Sequence, residues 1–212
     1  MKAIGVLGAG RQAAETAGYL MESGYKVEFF FTESTYLEKN SVLEKIAPIL
    51  TEKNIPNEFS KTKVVSAVGS PFVRKRLVEI WPYNNFTNFI HKTAWLAKGV
   101  EIGEDVTVSP MCVINADVEI SSHVLINIGS TISHDTSLDK YATISPNVSI
   151  AGKVTVGEGV FLGIGSNVID SVVIKRGAIV AAGSTVTKDI DEAILVAGVP
   201  AVKKKLLTTW YK

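Results

Sequence analysis

The stretch Cys112–Leu138, CVINADVEISSHVLINIGSTISHDTSL, repeats itself every six residues. Ile114, Ile120, Ile126, Ile132 and Leu138 stand six apart. The series runs on unbroken in both directions, from Ile90 to Val186, with Ile, Leu or Val at every step. A second column lies four places after the first. It runs from Ala94 through Val106, Cys112, Val124, Ser130 and Thr136 to Ile190, and nearly all its members are small or β-branched. Side chains on a strand alternate faces with period two, so a six-residue unit keeps the same positions inward only if the chain turns once per unit. Three such units close a triangular coil. Successive coils then stack through parallel ladders, with the large aliphatics piling on one another and the small column filling what remains. Cys112 falls in that inward column and reads as a packing residue, not a nucleophile. No extra residue interrupts the series, so no long loop is expected to leave the prism.

Upstream of residue 88 the rules change. MKAIGVLG reads as a strand, RQAAETAGYLMES as a short helix closed by Gly24, and KVEFFF as a second strand, which together form one βαβ unit. Helical spacing of Val42, Leu43 and Ile46 suggests a helix from Ser41 to Ala47, ended by Pro48. A strand at Lys63–Val68, a basic helix at Pro71–Ile80 and a strand at Phe86–Ile90 that feeds the prism complete the half. The expected fold is thus an α/β, Rossmann-like domain at residues 1–88, followed by an all-β parallel helix with a C-terminal tail at residues 89–212.

Composition narrows the function. Lys+Arg 22 against Asp+Glu 21 offers no basic excess for gripping a phosphate backbone, and no apolar stretch approaches the roughly 20 residues of a spanning helix. Neither nucleic acid nor membrane insertion is expected. A lone cysteine and an opening that reads as strand and turn rather than as a cleaved leader suggest a cytoplasmic protein.

Gly8-Ala9-Gly10-Arg11-Gln12-Ala13 follows the first strand and opens a helix, which is the setting of a phosphate-cradling G-x-G-x-x-A turn. Fewer than about 90 residues supply only one mononucleotide half of a dinucleotide fold. A nucleotide mono- or diphosphate therefore suits the space better than NAD, with Glu33 the acid at the end of the second strand. Of the three histidines, His91 opens the prism, His123 takes the fourth place of its unit and His134 the third. None occupies an inward slot. His134 is singled out by the Asp135 that follows it, since a carboxylate beside an imidazole orients it and stabilises its protonated form. Arg74-Lys75-Arg76 and Lys203-Lys204-Lys205 read either as solvated charge runs or as phosphate contacts.

These segments resemble the bacterial nucleotide-aminosugar N-acetyltransferases, a hexapeptide-repeat family that also holds the sialic-acid O-acetyltransferases. The resemblance rests on the GAGRQA turn, VVSAVGSPFVRKRL, FIHKTAWLAKGV, INIGSTISHD, IAGKVTVGEGVFLGIGSNVI and VAGVPA. It implies a left-handed coil, a homotrimer with active sites between prisms, and acetyl-CoA as co-substrate without a metal. It also implies acetyl transfer to the amine of a nucleotide-linked 4-amino-4,6-dideoxy sugar in surface-glycan synthesis. His134 becomes the general base and Asp135 its supporting acid, where the family usually has Glu. The nucleotide would lie on Gly8, Gly10, Arg11 and Gln12 with Thr32 and Glu33 near its base or ribose, and acetyl-CoA near Thr143, Gly152, Ile164 and Ala182. Arg11-Gln12 replaces a common Gly-His pair, and Thr32-Glu33 two acids, which points to an altered nucleotide or sugar preference. Competing readings are sugar O-acetylation by the same residues, a zinc hydratase on the three histidines, and a non-catalytic scaffold or an NAD-binding regulator. Spacings of 32 and 11 between the histidines lack the paired pattern that a zinc hydratase needs.

Overall fold

A computed structural model describes residues 1–37 and 42–207. The first part is a four-stranded sheet formed by β1 (Lys2–Leu7), β2 (Tyr25–Phe31), β3 (Ile49–Leu50) and β4 (Val64–Ser66), in the order β3-β2-β1-β4. Every pairing is parallel. Helix α1 (Arg11–Glu22) buries Ala13, Thr16, Ala17 and Leu20 at helical spacing, and Gly24 closes it at φ +84°. Helix α2 spans Pro71–Ile80, as the sequence predicts. Its N-cap Ser70 accepts the Val73 N–H, and Pro71 sits where a missing N–H costs nothing. Expectation and structure part at residues 42–47. Ser41 lies outside the described residues, and Val42–Ile46 forms turns instead of a helix. So short a segment cannot repay helix nucleation, and Pro48 disfavours helical backbone at the residue before it. The Pro48 carbonyl instead accepts the Phe30 N–H at 2.9 Å, extending the sheet edge.

From Phe89 to Val186 the chain winds as a three-sided parallel prism of two-residue strands, which the longer strands Ile194–Ala197 and Val202–Leu206 close as an antiparallel pair. Leu125 pairs with Thr143 and with Thr107, Thr131 with Ser149 and with Val113, and Glu119 with Ser137 and with Glu101. Each strand thus meets the residue eighteen positions on, which is three six-residue units per coil. Both inward columns are buried from Val106 to Val196 in one continuous core. The first coil is less covered, because no earlier coil lies against it: Ala94, Leu96, Val100 and Ile102 are only partly buried, and Ile90, the first member of the repeat, is 40% exposed.

The corners follow a rule of their own. At every sixth residue from Asp105 to Gly183 the backbone is left-handed, with φ between +55° and +70°. Only some of these residues are glycine; Asp105 (φ 55°), His123 (φ 62°), Asp135 (φ 57°) and Tyr141 (φ 61°) are not. A non-glycine there costs roughly 1 kcal/mol, which the coil offsets by a backbone hydrogen bond to the coil before. Asp135 N–H donates to the Ala116 carbonyl at 3.2 Å and Lys153 N–H to the His134 carbonyl at 2.9 Å. The residues at these corners project from the prism on fixed backbone.

The sheet unit packs on one prism face, covering Thr107, Leu125 and Thr143. Arg74 of α2 is fully buried there. Its Nε donates to the His123 carbonyl at 2.9 Å, Nη1 to the Val68 carbonyl at 2.6 Å and Thr143 Oγ1 at 2.9 Å, and Nη2 to the Tyr141 and Ala142 carbonyls at 2.6 and 2.9 Å. Burial pushes its guanidinium down to about 10, so it stays charged at neutral pH.

Candidate active site

His134 and Asp135 occupy one prism corner, with side chains 60% and 50% exposed. His134 Nδ1 and Asp135 Oδ2 lie 2.6 Å apart. The carboxylate holds the ring by Nδ1, and Nε2 takes no protein partner among the described residues. One coil further on, Gly152 lies directly against the ring. A Cβ built on Gly152 would meet His134 Cε1 and Nε2 at 2.8 Å. Its backbone angle is ordinary, so the ring, not the chain's conformation, requires glycine. A ring held from one side by a carboxylate and from the other by backbone, with a free basic nitrogen, can take a proton from a group presented to it.

The other histidines serve the junction. His91 and His123 are buried at 3% and 7% exposure, beneath α1 and the sheet unit. Neither is a solvated histidine. His123 Nδ1 contacts Asp105 Oδ2 at 2.8 Å, and its ring stacks on Tyr141 with centroids 4.9 Å apart. Burial of the Tyr141 phenol pushes it up to about 12. Among the described residues no group of three or more His, Cys, Asp or Glu side chains could hold a metal ion. Buried Cys112 has its thiol pushed up to about 11 and donates to the Asn127 carbonyl at 3.1 Å, as a packing residue should.

The glycine turn after β1 opens on a cavity of about 660 Å³ lined by Gly8, Gly10, Arg11, Gln12, Thr32, Tyr36, Val68 and Gly69. Gly8 is required by the fold: its φ is +138° and a Cβ would meet the Ala67 carbonyl oxygen at 2.6 Å. Gly10 is not, because its φ is −103° and a Cβ would meet nothing within 4 Å. Its missing side chain matters only to an occupant of the cavity. Gly10 also caps α1 without any side-chain bond, which leaves first-turn N–H groups facing the cavity, and Gln12 Nε2 is buried there without a partner. Glu33 departs from expectation. It does not line the cavity; Oε1 is held by Arg76 at 2.5 Å, while buried Oε2 has no partner.

The four residues expected along a coenzyme edge do not come together on one chain. Ile164 and Ala182 are exposed on neighbouring coils of one corner, while Gly152 lies on the next corner under His134. Thr143 is 1% exposed under α2, so its side chain does not face an edge at all. Between the two corners runs a shallow depression of about 410 Å³ on the face of Thr131, Ser149 and Asn167. Apolar Met111, Ile128, Ile164 and Ile169 stand exposed along its rims. The basic run of α2, ambiguous as a sequence, is sorted by the structure: Arg74 is buried, Lys75 pairs with Glu158 at 2.9 Å, and Arg76 with Glu33. Lys203–Lys205 lie exposed on the last strand, Val202–Leu206. A further cavity of about 480 Å³, which sequence reading missed, lies between α2 and the prism corner carrying Tyr141 and Glu158. No helix is long and apolar enough to cross a membrane among the described residues.

No protein-family model matches the chain. Solved structures do match it over nearly its whole length. PerB from Caulobacter crescentus in complex with CoA and GDP-perosamine shares 28% identity over 97% of this chain and 98% of its own, with a TM-score of 0.83. A mutant of the GDP-perosamine N-acetyltransferase from the same organism, also holding CoA and GDP-perosamine, matches at 27% identity, the same coverage and a TM-score of 0.83. The acetyltransferase domain of PglB from Neisseria gonorrhoeae in complex with acetyl coenzyme A shares the fold at 24% identity, over 96% and 99% of the two chains, with a TM-score of 0.80. Together with the hexapeptide prism and its exposed histidine corner, these matches make the chain similar, from end to end, to bacterial sugar N-acetyltransferases of the hexapeptide-repeat kind.

Proposed function

We propose that this protein transfers the acetyl group of acetyl-CoA to the amine of a nucleotide-linked 4-amino-4,6-dideoxy sugar destined for a surface glycan. The observation that carries this reading is the exposed His134 ring, held by Asp135 through Nδ1 and packed on Gly152, in a chain that matches CoA- and GDP-perosamine-bound relatives end to end. The N-terminal unit, residues 1–88, serves as a Rossmann-like nucleotide domain whose cavity at Gly8, Gly10, Arg11 and Gln12 takes the diphosphate, with Thr32 near the base or ribose. The second domain, residues 89–212 with a C-terminal tail, is built on a left-handed coil that assembles as a homotrimer. A neighbouring copy covers the exposed corner and the apolar rims, and acetyl-CoA runs between prisms past Gly152, Ile164 and Ala182.

In the step itself, the sugar nitrogen attacks the thioester carbonyl while His134 Nε2 takes its proton, and a corner backbone N–H meets the developing oxyanion. Collapse breaks the carbon–sulfur bond, the proton passes to the leaving thiolate, and the products are the N-acetyl sugar and CoA thiol. No acetyl-enzyme forms. Juxtaposition of amine and thioester supplies much of the acceleration, and the base about 10² to 10⁴. The test is thiol release from acetyl-CoA against GDP-, UDP- and dTDP-linked 4-amino-4,6-dideoxy sugars, with free sialic acid as the hydroxyl control. Release with an amino sugar, and a product heavier by one acetyl group, is expected. Release with sialic acid alone would replace amine by hydroxyl as the acceptor.

A further inference from the structure

The far wall of the nucleotide cavity is held by the prism together with Arg74 of α2. Ser66 N–H donates to Asp105 Oδ1 at 2.7 Å, the Val68 carbonyl accepts from Arg74 Nη1 at 2.6 Å, and the Gly69 carbonyl accepts from Thr143 Oγ1 at 2.9 Å. Thr143 Oγ1 in turn accepts from Arg74 at 2.9 Å. Within the sheet unit the same segment is tied by the Ala67 N–H, which donates to the Leu7 carbonyl at 2.8 Å. Asp105 is locked from behind by His123, whose carbonyl also receives Arg74 Nε. Asp105, Arg74 and Thr143 are each at most 1% exposed, so this bonding is dry and exchanges little with solvent.

We propose that Arg74, Asp105 and Thr143 are positioning residues for nucleotide recognition. They set the height of the Ala67–Gly69 wall opposite the Gly8–Gln12 turn, and thereby the width of the slot that receives the nucleoside diphosphate. This rests on the cavity being the nucleotide site. The ligand is thus recognised by a wall whose position the acetyl-transfer half dictates, which keeps the sugar in register with the prism.

Thr143→Val tests this without opening a void, since it removes one hydroxyl at constant shape and leaves the Gly69 carbonyl unpaired. The Michaelis constant for the nucleotide sugar should rise about tenfold, with that for acetyl-CoA and the turnover number within about twofold. Hydrogen exchange across residues 66–70 should quicken in the unliganded chain, and Thr143→Ser, which keeps the hydroxyl, should restore both. Unchanged nucleotide-sugar affinity in Thr143→Val, an equal loss for both substrates, or no rescue by Thr143→Ser would overturn the assignment. A wild-type chain that binds none of GDP, UDP or dTDP would sink the reading of the cavity itself, and is told apart by needing no variant.

Discussion

The chain carries two histidine–aspartate pairs of nearly equal geometry, His123–Asp105 at 2.8 Å and His134–Asp135 at 2.6 Å, placed on corners of the same prism. Their surroundings differ. The first pair is dry, with side chains 9% and 0% exposed, one ring face against Tyr141 and a ring edge contact with Phe86 at 5.2 Å. The second is open on the outer side. A pair sealed beneath other elements can only hold them together, whereas a pair exposed on a rigid corner can meet a substrate and do chemistry. The separation of the two atoms therefore decides little; the exposure of the ring and the approach to it decide function.

The contrast can be broken in either half. The largest effect on stability is expected from His123→Ala, which leaves the Asp105 carboxylate buried with one oxygen unpaired and empties the stack on Tyr141. A loss of about 3 kcal/mol is expected, read as a lower urea midpoint at unchanged m. On the other corner, Gly152→Ala should leave the midpoint nearly alone, because the backbone there tolerates a Cβ, while displacing the His134 ring. A displacement of that kind costs about 10² in turnover. Asp135→Asn keeps the shape but loses the charge behind the ring, and a fall of about tenfold in kcat is expected in the same thiol-release assay. The smallest effect concerns Cys112. Its thiol is protonated in the fold up to about 11, against an ordinary 9, so the unfolded chain releases this proton first as pH rises. Its contribution is whole below pH 9 and fades between about 9 and 11. Stability measured over that window should decline less steeply in Cys112→Ala than in the parent.

Much of this was legible in the residues. A six-residue period specifies the prism because only a chain turning once per unit keeps Ile114, Ile120 and Ile126 inward together. Helix α2 was readable from its Ser-Pro start, and His134–Asp135 because its partners are adjacent in sequence. The His123–Asp105 pair was hidden by distance along the chain: its members stand eighteen residues apart, one coil, and become neighbours only once the coil is drawn. The same offset joins His134 to Gly152, so the spacing was available as a signal for both. The left-handed corner column escaped notice because side chains as different as Asp135, Tyr141 and Lys153 fill it, the coil's hydrogen bonds having overridden their preferences. Arg74 within a basic run gave no sign of burial, since nothing local shows five backbone and hydroxyl acceptors converging on it. Thr143 was placed on a coenzyme edge by resemblance, but the face it occupies is the one the sheet unit covers.

The most direct measurement is steady-state thiol release by His134→Ala beside the parent, with the amino-sugar nucleotide titrated at saturating acetyl-CoA. Turnover is expected to fall by at least about 10², with the Michaelis constant for the nucleotide sugar and the urea midpoint both close to those of the parent. An unchanged turnover number would contradict the assignment of this corner as the seat of proton transfer.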